Sequence, residues 1–242
     1  ENGDDILTPQ LVEAIADEEQ FQALLSPLIR LGLLQKIENT LAMHPAIQAA
    51  LHDSMPRKSL KAWYNATAKL LEQAFPAKPS YEHPNVKCIR LLPHLLTAAQ
   101  VAERHESSTQ ATSTLYFLSG LYLQAHDLIG ETHMCYLLSV SIAERILGTI
   151  HPTVATRVNN LGTIEHAQGS LDNAQTCFER SIDICEALLS PEDGLVYSDV
   201  NDEMLITPLR NLCSVLEAKG DIGRAQRAFE RAIKIFVKVY GW

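Results

Sequence analysis

Three kinds of side chain in this sequence could carry chemistry: cysteines, histidines, and asparagines that recur at a fixed offset. The five cysteines are Cys88, Cys135, Cys177, Cys185 and Cys213. Their number is odd and no two form a Cys-x-x-Cys pair, so neither a disulfide framework nor a zinc site is supported. Buried, reduced thiols are the expectation. The nine histidines are scattered. His126 and His133 stand seven apart and could share a helix face, but Gly130 is expected to break that helix. Paired acids such as Glu18-Glu19 suit solvated helix surfaces. No G-x-x-x-x-G-K-[ST] loop occurs, and neither does G-x-S-x-G, H-E-x-x-H or G-x-G-x-x-G. The segment is therefore expected to be no enzyme, with no metal and no cofactor of its own. Asparagine remains. A side-chain amide both donates and accepts, so it can satisfy a peptide unit without reading that unit's side chain.

Positioning such groups requires elements, and composition limits which. The chain has 242 residues, 46% of them hydrophobic. That suffices for a sizeable core, in one extended array or two domains. Aromatics at 6%, few glycines and few β-branched runs favour helix over sheet. Lys+Arg is 20 against Asp+Glu 29, a formal net charge of −9. The nearest thing to a basic cluster is Arg57-Lys58 with Lys61, so no nucleic-acid partner is expected. No apolar run approaches the roughly 18 residues that span a bilayer. The acidic opening Glu1–Asp5 is the reverse of a signal peptide. The expectation is a cytoplasmic protein without membrane contact.

The sequence repeats itself. Gly120 and Gly162 stand 42 apart, and at that offset Cys135 meets Cys177, Tyr136 meets Phe178, Ser139 meets Ser181 and Glu144 meets Glu186. A third copy follows at an offset of 51: Leu161 meets Leu212, Gly169 meets Gly220, Ala174 meets Ala225 and Phe178 meets Phe229. The nine extra residues fall in Ser190–Ile206, whose Pro191, Gly194 and acids read as an inserted loop. In the second unit the first helix carries Leu161-Gly162, the glycine allowing a neighbour to approach closely. Gly169 and Gly220 can end the first helices in a left-handed turn. The second helix places Ala174, Cys177, Phe178, Ser181, Ile182, Cys185 and Leu188 on one stripe. The third copy does so with Ala225, Ala228, Phe229, Ala232, Ile233, Phe236 and Val239. Such hairpins must stack to bury their stripes.

The L-G, A-x-x-x-F and small-residue positions of residues 111–242 resemble the tetratricopeptide repeat. The bulky aromatic of that family three residues before the leucine is replaced by Val158 and Leu209. The 42-residue period, the string Asn159-Asn160-Leu161-Gly162 and the linker Leu147-Gly148…His151-Pro152 look more like its kinesin-light-chain subtype. This resemblance implies a mainly α protein, an α-solenoid of helical hairpins, whose first helices line a concave surface that binds a protein or peptide. On the repeat register that surface carries Thr156, Asn159, Asn160, Thr163 and His166, then Thr207, Arg210, Asn211, Ser214 and Glu217. The first unit contributes Thr114, Phe117, Leu121 and Gln124. Asn160 and Asn211 share a register position and are the leading candidates for holding a peptide backbone. The alternative is that they bridge neighbouring helices.

The front of the chain has another character. Thr8-Pro9 opens a helix, Phe21–Leu25 continue a second, Ser26-Pro27 can restart it, and Gly32 can close it. Leu33–Glu38 and Thr40–Met43 read as two short strands, and Pro45 opens another helix. This order resembles a winged helix, and more closely the winged helix of STAND-type (NB-ARC) signalling ATPases, in which a Met-His-Asp motif senses bound ADP. Here Met43-His44 match and Pro45 replaces the acid, so only His44 carries a nucleotide-sensing expectation. Helices over 57–75 and 86–104, with Leu91-Leu92-Pro93-His94-Leu95, resemble the bridge of that family. The expected domains are a winged helix at 1–55, a helical bridge at 56–110 and about three repeats at 111–242. The leading expectation is the sensor arm of a STAND-like signal-transduction ATPase. A nucleotide module would then precede Glu1, with ADP or ATP bound there and oligomerisation through it, and further repeats would follow Trp242. The alternative is a stand-alone adaptor or scaffold.

Overall fold

The computed structural model describes residues 17–37, 40–76, 86–104, 106, 108–190 and 201–241. The helix expected at Thr8-Pro9 and the turn at Glu38-Asn39 lie outside them. The chain divides into two compact units, Glu1–Lys69 and Leu70–Trp242.

In the first unit, helix α1 (Glu18–Arg30) begins where Asp17 accepts a hydrogen bond from the Gln20 N–H at 3.0 Å, with Glu18 and Glu19 complementing the helix dipole. It does not restart at Ser26-Pro27 but runs through Pro27. Pro27 has no N–H for the Ala23 carbonyl, while the Ser26 hydroxyl donates backwards to the Gln22 carbonyl at 2.7 Å and so caps nothing. Gly32, at φ +70°, closes the helix, and the Leu33 N–H reaches the Leu28 carbonyl at 2.9 Å. Strands β1 (Gln35–Ile37) and β2 (Thr40–Ala42) pair antiparallel, Lys36 opposite Leu41. Helix α2 (Pro45–Ser54) starts on a proline and is capped by His44, whose Nδ1 accepts from the Ala46 N–H at 3.2 Å. Helix α3 (Arg57–Ala74) follows, and Tyr64 on it shares a hydrogen bond with His52.

The second unit begins at Leu70, within the last turns of α3, and its next helix, α4 (Val86–Arg104), packs on α5. Three antiparallel hairpins then succeed one another: α5 (Gln110–Gln124) with α6 (Ile129–Leu147), α7 (Pro152–Ala167) with α8 (Leu171–Leu189), and α9 (Ile206–Ala218) with α10 (Ile222–Tyr240). A 3-10 turn, Asp202–Leu205, precedes α9. Helix α7 packs on α6 and α9 on α8, so each hairpin buries its stripe against the next. One apolar core runs from Tyr136 to Ala232.

The repeat register reappears as geometry. A Cβ on Gly120 would stand 2.5 Å from the Tyr136 ring; on Gly162 it would stand 2.8 Å from the Phe178 ring and 2.9 Å from the Cys177 Cβ. Only a glycine lets these rings pack directly on the opposite backbone, where Tyr136 is 0% and Phe178 1% exposed. Ser139 donates to the Ser113 carbonyl and, 42 residues on, Ser181 donates to the Ala155 carbonyl, both at 2.9 Å. On the outside, Arg180 pairs with Glu144 and Arg231 with Glu186, again one step apart in register. Gly169 and Gly220 make the hairpin turns at φ +78° and +80°; in the first hairpin Asp127 takes that place at φ +58°. The break between His126 and His133 therefore falls at Ala125–Leu128, and Gly130, expected to cause it, sits inside the first turn of α6.

The third hairpin departs from the pattern. Cys213 stands where the glycine should, Ala232 replaces the serine, and Phe229 is 51% exposed. Only the alanines of the expected α10 stripe are buried; Phe229, Ile233, Phe236 and Val239 are exposed. A Cβ at residue 213 removes the slot that an aromatic ring would fill, and α10 packs against α9 and the 3-10 turn with its small residues inward.

These contacts separate two glycine substitutions. Gly162→Ala should destabilise the chain by about 1–3 kcal/mol, because ring and backbone must part. Gly223→Ala, whose Cβ would meet only Arg227 Nη1 at 3.8 Å, should stabilise it by up to about 1 kcal/mol. Urea unfolding of both variants measures this, and equal effects would contradict the close approach at Gly162.

Candidate functional site

Helices α7 and α9 carry most of the side chains expected to bind a partner. Thr156 is exposed and donates to the Pro152 carbonyl at 3.2 Å, leaving its oxygen free to accept. Asn159 is 8% exposed; Asn160 and Thr163 are half-buried, and Thr163 donates to the Asn159 carbonyl at 3.1 Å. Asn211 of α9 donates through Nδ2 to Asn159 Oδ1 at 3.0 Å. These two amides thus bridge neighbouring hairpins, while Asn159 keeps its own NH2 and Asn160 retains both amide functions.

Thr156, Asn159 and Asn160 line a cavity of about 450 Å³. Its floor is Ala155, Ser181 and Cys185, and its far wall is Asn201, Glu203, Met204, Thr207 and Pro208. Arg210 and Ser214 do not reach it. They line a second depression of about 490 Å³ with Glu217, Gln226 and Phe229. His166 is half-buried towards the end of α7. His44 belongs to the other unit, where it caps α2.

Asn201, Glu203 and Met204 are wall residues that sequence reasoning missed, because the insertion was read only as a loop. A signal was present: Asn201 followed by Asp202-Glu203 is a helix-start signature, and Asn201 Oδ1 accepts from the Glu203 N–H at 3.1 Å. The turn is tied to the last helix by Lys238 on Asp202 and by the Tyr240 hydroxyl on Glu203. That carboxylate raises the Tyr240 pKa.

Arg157 was also missed. It is 5% exposed at the junction of the first two hairpins. Nη1 donates to the Ser113 carbonyl at 2.5 Å, to Ser113 Oγ at 2.7 Å and to Ser139 Oγ; Nη2 donates to Thr114 Oγ1 at 3.2 Å. The guanidinium lies 5.0 Å from the Phe117 ring centroid, a cation–π contact. Burial pulls its pKa down to about 10, with Glu72 opposing, so it stays charged at neutral pH. Nearby, Glu165 is buried between His133 Nε2 at 2.8 Å and Asn173 Nδ2 at 3.3 Å, which clasps α6, α7 and α8 together.

The cysteines form no site. All five are free. Burial pushes the thiols of Cys135, Cys177 and Cys185 up to about 11, the reverse of what a nucleophile needs. Among the described residues no three His, Cys, Asp or Glu side chains are grouped to hold a metal, and no helix is long and apolar enough to cross a membrane.

The family model of the tetratricopeptide repeat matches residues 154–193, which span α7 and α8. The second hairpin therefore matches a tetratricopeptide repeat, and the stacked hairpins around it are consistent with an array of such repeats. No curated protein matches the chain. Among solved structures, BtubC (BKLC) from P. vanneervenii is 18% identical with a TM-score of 0.50, the match covering 95% of this chain and 86% of that one. MamA is 14% identical with a TM-score of 0.42, over 83% and 99%. The first likeness supports an α-solenoid and no particular activity. A match to this repeat suggests a role in protein–protein interaction and nothing finer.

The raised thiol pKa values set an expectation. At pH 8, Cys135, Cys177 and Cys185 should react with a disulfide reagent at least a hundredfold more slowly in the native chain than in denaturant, the native rate climbing as pH approaches 11. Counting released thiolate against time tests this; native rates within tenfold of unfolded ones would contradict the burial.

Proposed function

We propose that the chain binds an extended peptide segment of a partner protein across α7 and α9, centred on the cavity beside Asn160. The observation that carries this reading is the chemistry of that lining. Thr156, Asn159, Asn160 and Thr207 present hydroxyls and amides, with Glu203 the single charged group among the described lining residues. Neutral donors and acceptors suit a peptide backbone, and a solvent-open groove between helices suits a chain better than a small substrate. Asn160, which makes no bridge to a neighbouring hairpin, is assigned the main backbone contact. Asn211 acts indirectly, by holding the Asn159 amide in place.

The wider setting proposed is the sensor arm of a STAND-like ATPase, with Glu18–Ser54 as its winged helix and His44 facing a nucleotide module. The order helix, hairpin, helix, followed by two further helices and then repeats, supports it. Finding no phosphate-binding loop upstream of Glu1 in the complete gene would remove it in favour of an adaptor.

The groove is tested by selecting peptides from a random displayed library against the purified chain and measuring the affinities of the best by calorimetry. Asn160→Ala should weaken them about tenfold, and Ser214→Ala, which lines the other depression, should leave them unchanged. Affinity indifferent to Asn160 would exclude this groove.

A further inference from the structure

The cavity beside Asn160 has a counterpart inside the same molecule, and the counterpart is full. Moving back 42 residues, Ala155, Thr156, Asn159 and Ser181 become Ser113, Thr114, Phe117 and Ser139. Those four residues hold the guanidinium of Arg157. Moving forward 51 residues, the position of Arg157 becomes Pro208. The second junction therefore repeats the socket of the first but has lost the side chain that fills it, and a cavity of about 450 Å³ stands there.

The socket survives in detail. Ser139 Oγ donates to the Ser113 carbonyl, and Ser181 Oγ donates to the Ala155 carbonyl, at 2.9 Å in both. Thr114 donates to the Gln110 carbonyl at 3.1 Å, and Thr156 to the Pro152 carbonyl at 3.2 Å. Each hydroxyl is thus turned the same way, with the lone pairs that receive Arg157 at the first junction left for a donor at the second. Of the four acceptors around Arg157, the Ser113 carbonyl, Ser139 Oγ and Thr114 Oγ1 have equivalents; only Ser113 Oγ is lost, at Ala155. Asn159 replaces the Phe117 ring. The second junction also has Glu203 on its wall; at the first, the groups that touch the guanidinium are neutral and Glu72 is the acid that acts on it.

We propose that this cavity is a receptor for an arginine side chain supplied by the bound partner, its guanidinium donating to the Ala155 carbonyl, Ser181 Oγ and Thr156 Oγ1 with Glu203 as counter-charge. The inference rests on the groove reading above for the source of that arginine. Arginine fits better than lysine because its planar fork reaches several spread acceptors at once. The neutral rest of the groove then holds backbone, and one basic residue sets the register.

The probe is N-acetyl-arginine amide, titrated into the isotope-labelled full chain and followed by NMR. Saturable shifts are expected at the Asn159 and Asn160 side-chain amides and the Thr156 backbone. N-acetyl-citrulline amide, of the same shape but uncharged, and N-acetyl-lysine amide should bind at least tenfold more weakly. Pro208→Arg, which returns the internal side chain, should abolish the shifts. Should that variant not fold, Thr156→Val and Glu203→Gln should each weaken binding about fivefold. Equal binding of citrulline, or indifference to both of these substitutions, overturns the assignment. Selected peptides that need Asn160 but contain no required arginine would overturn it while leaving the groove intact; arginine amide that binds where no peptide does would remove the groove and keep the socket.

Discussion

The close approach of paired helices at Gly162 is the contact on which the second unit depends. With no Cβ in the way, the Phe178 ring lies against the α7 backbone, and Gly120 with Tyr136 repeats the arrangement one hairpin earlier. Dense packing at these crossings fixes how far apart the two helices of a hairpin stand. That separation sets where the next hairpin can sit, and hence where the cavity between α7 and α9 opens. The outer ion pairs Arg180–Glu144 and Arg231–Glu186 recur with the same regularity but are solvent-facing. Pairs of that kind contribute about 0–1 kcal/mol, so they mark the register without setting it.

Much of this was legible in the sequence because each feature was local. Glycine, small residue and aromatic at fixed offsets announced the hairpins, and Gly169 and Gly220 announced their turns. What could not be read was anything decided by a missing partner. Phe229 fits the stripe pattern as well as Phe178 does, yet it faces solvent, because the residue that would admit it is Cys213 and lies on another helix. Asn159 and Asn211 look like free binding amides in a one-dimensional register; only the folded chain brings α9 against α7 and joins them. Arg157 was overlooked since a lone arginine on a helix reads as surface, whereas the carbonyl and hydroxyls that accept it come from α5 and α6. The helix α1 passed through Pro27 since helix geometry on both sides outweighed one lost hydrogen bond.

The comparison of the two junctions shows how one scaffold yields opposite outcomes. Both offer a carbonyl and two hydroxyls in the same arrangement. At the first, a resident guanidinium satisfies them and the cation is tolerated in the interior by hydrogen bonds and an aromatic face. At the second, Pro208 near the start of α9 is buried at the cavity wall but has no donor to offer. Acceptors that are satisfied from within at one step of the array line a cavity at the next.

The insertion before α9 has a mechanical side. Its 3-10 turn walls the cavity, yet it is fastened to α10 by Lys238 on Asp202 and Tyr240 on Glu203. Glu203 thus belongs at once to the cavity and to the contact with α10. Any load that displaces the tail of α10 pulls on the cavity wall, and by reciprocity whatever occupies the cavity stiffens that tail. Helix α10 and the groove are in this sense two ends of one lever.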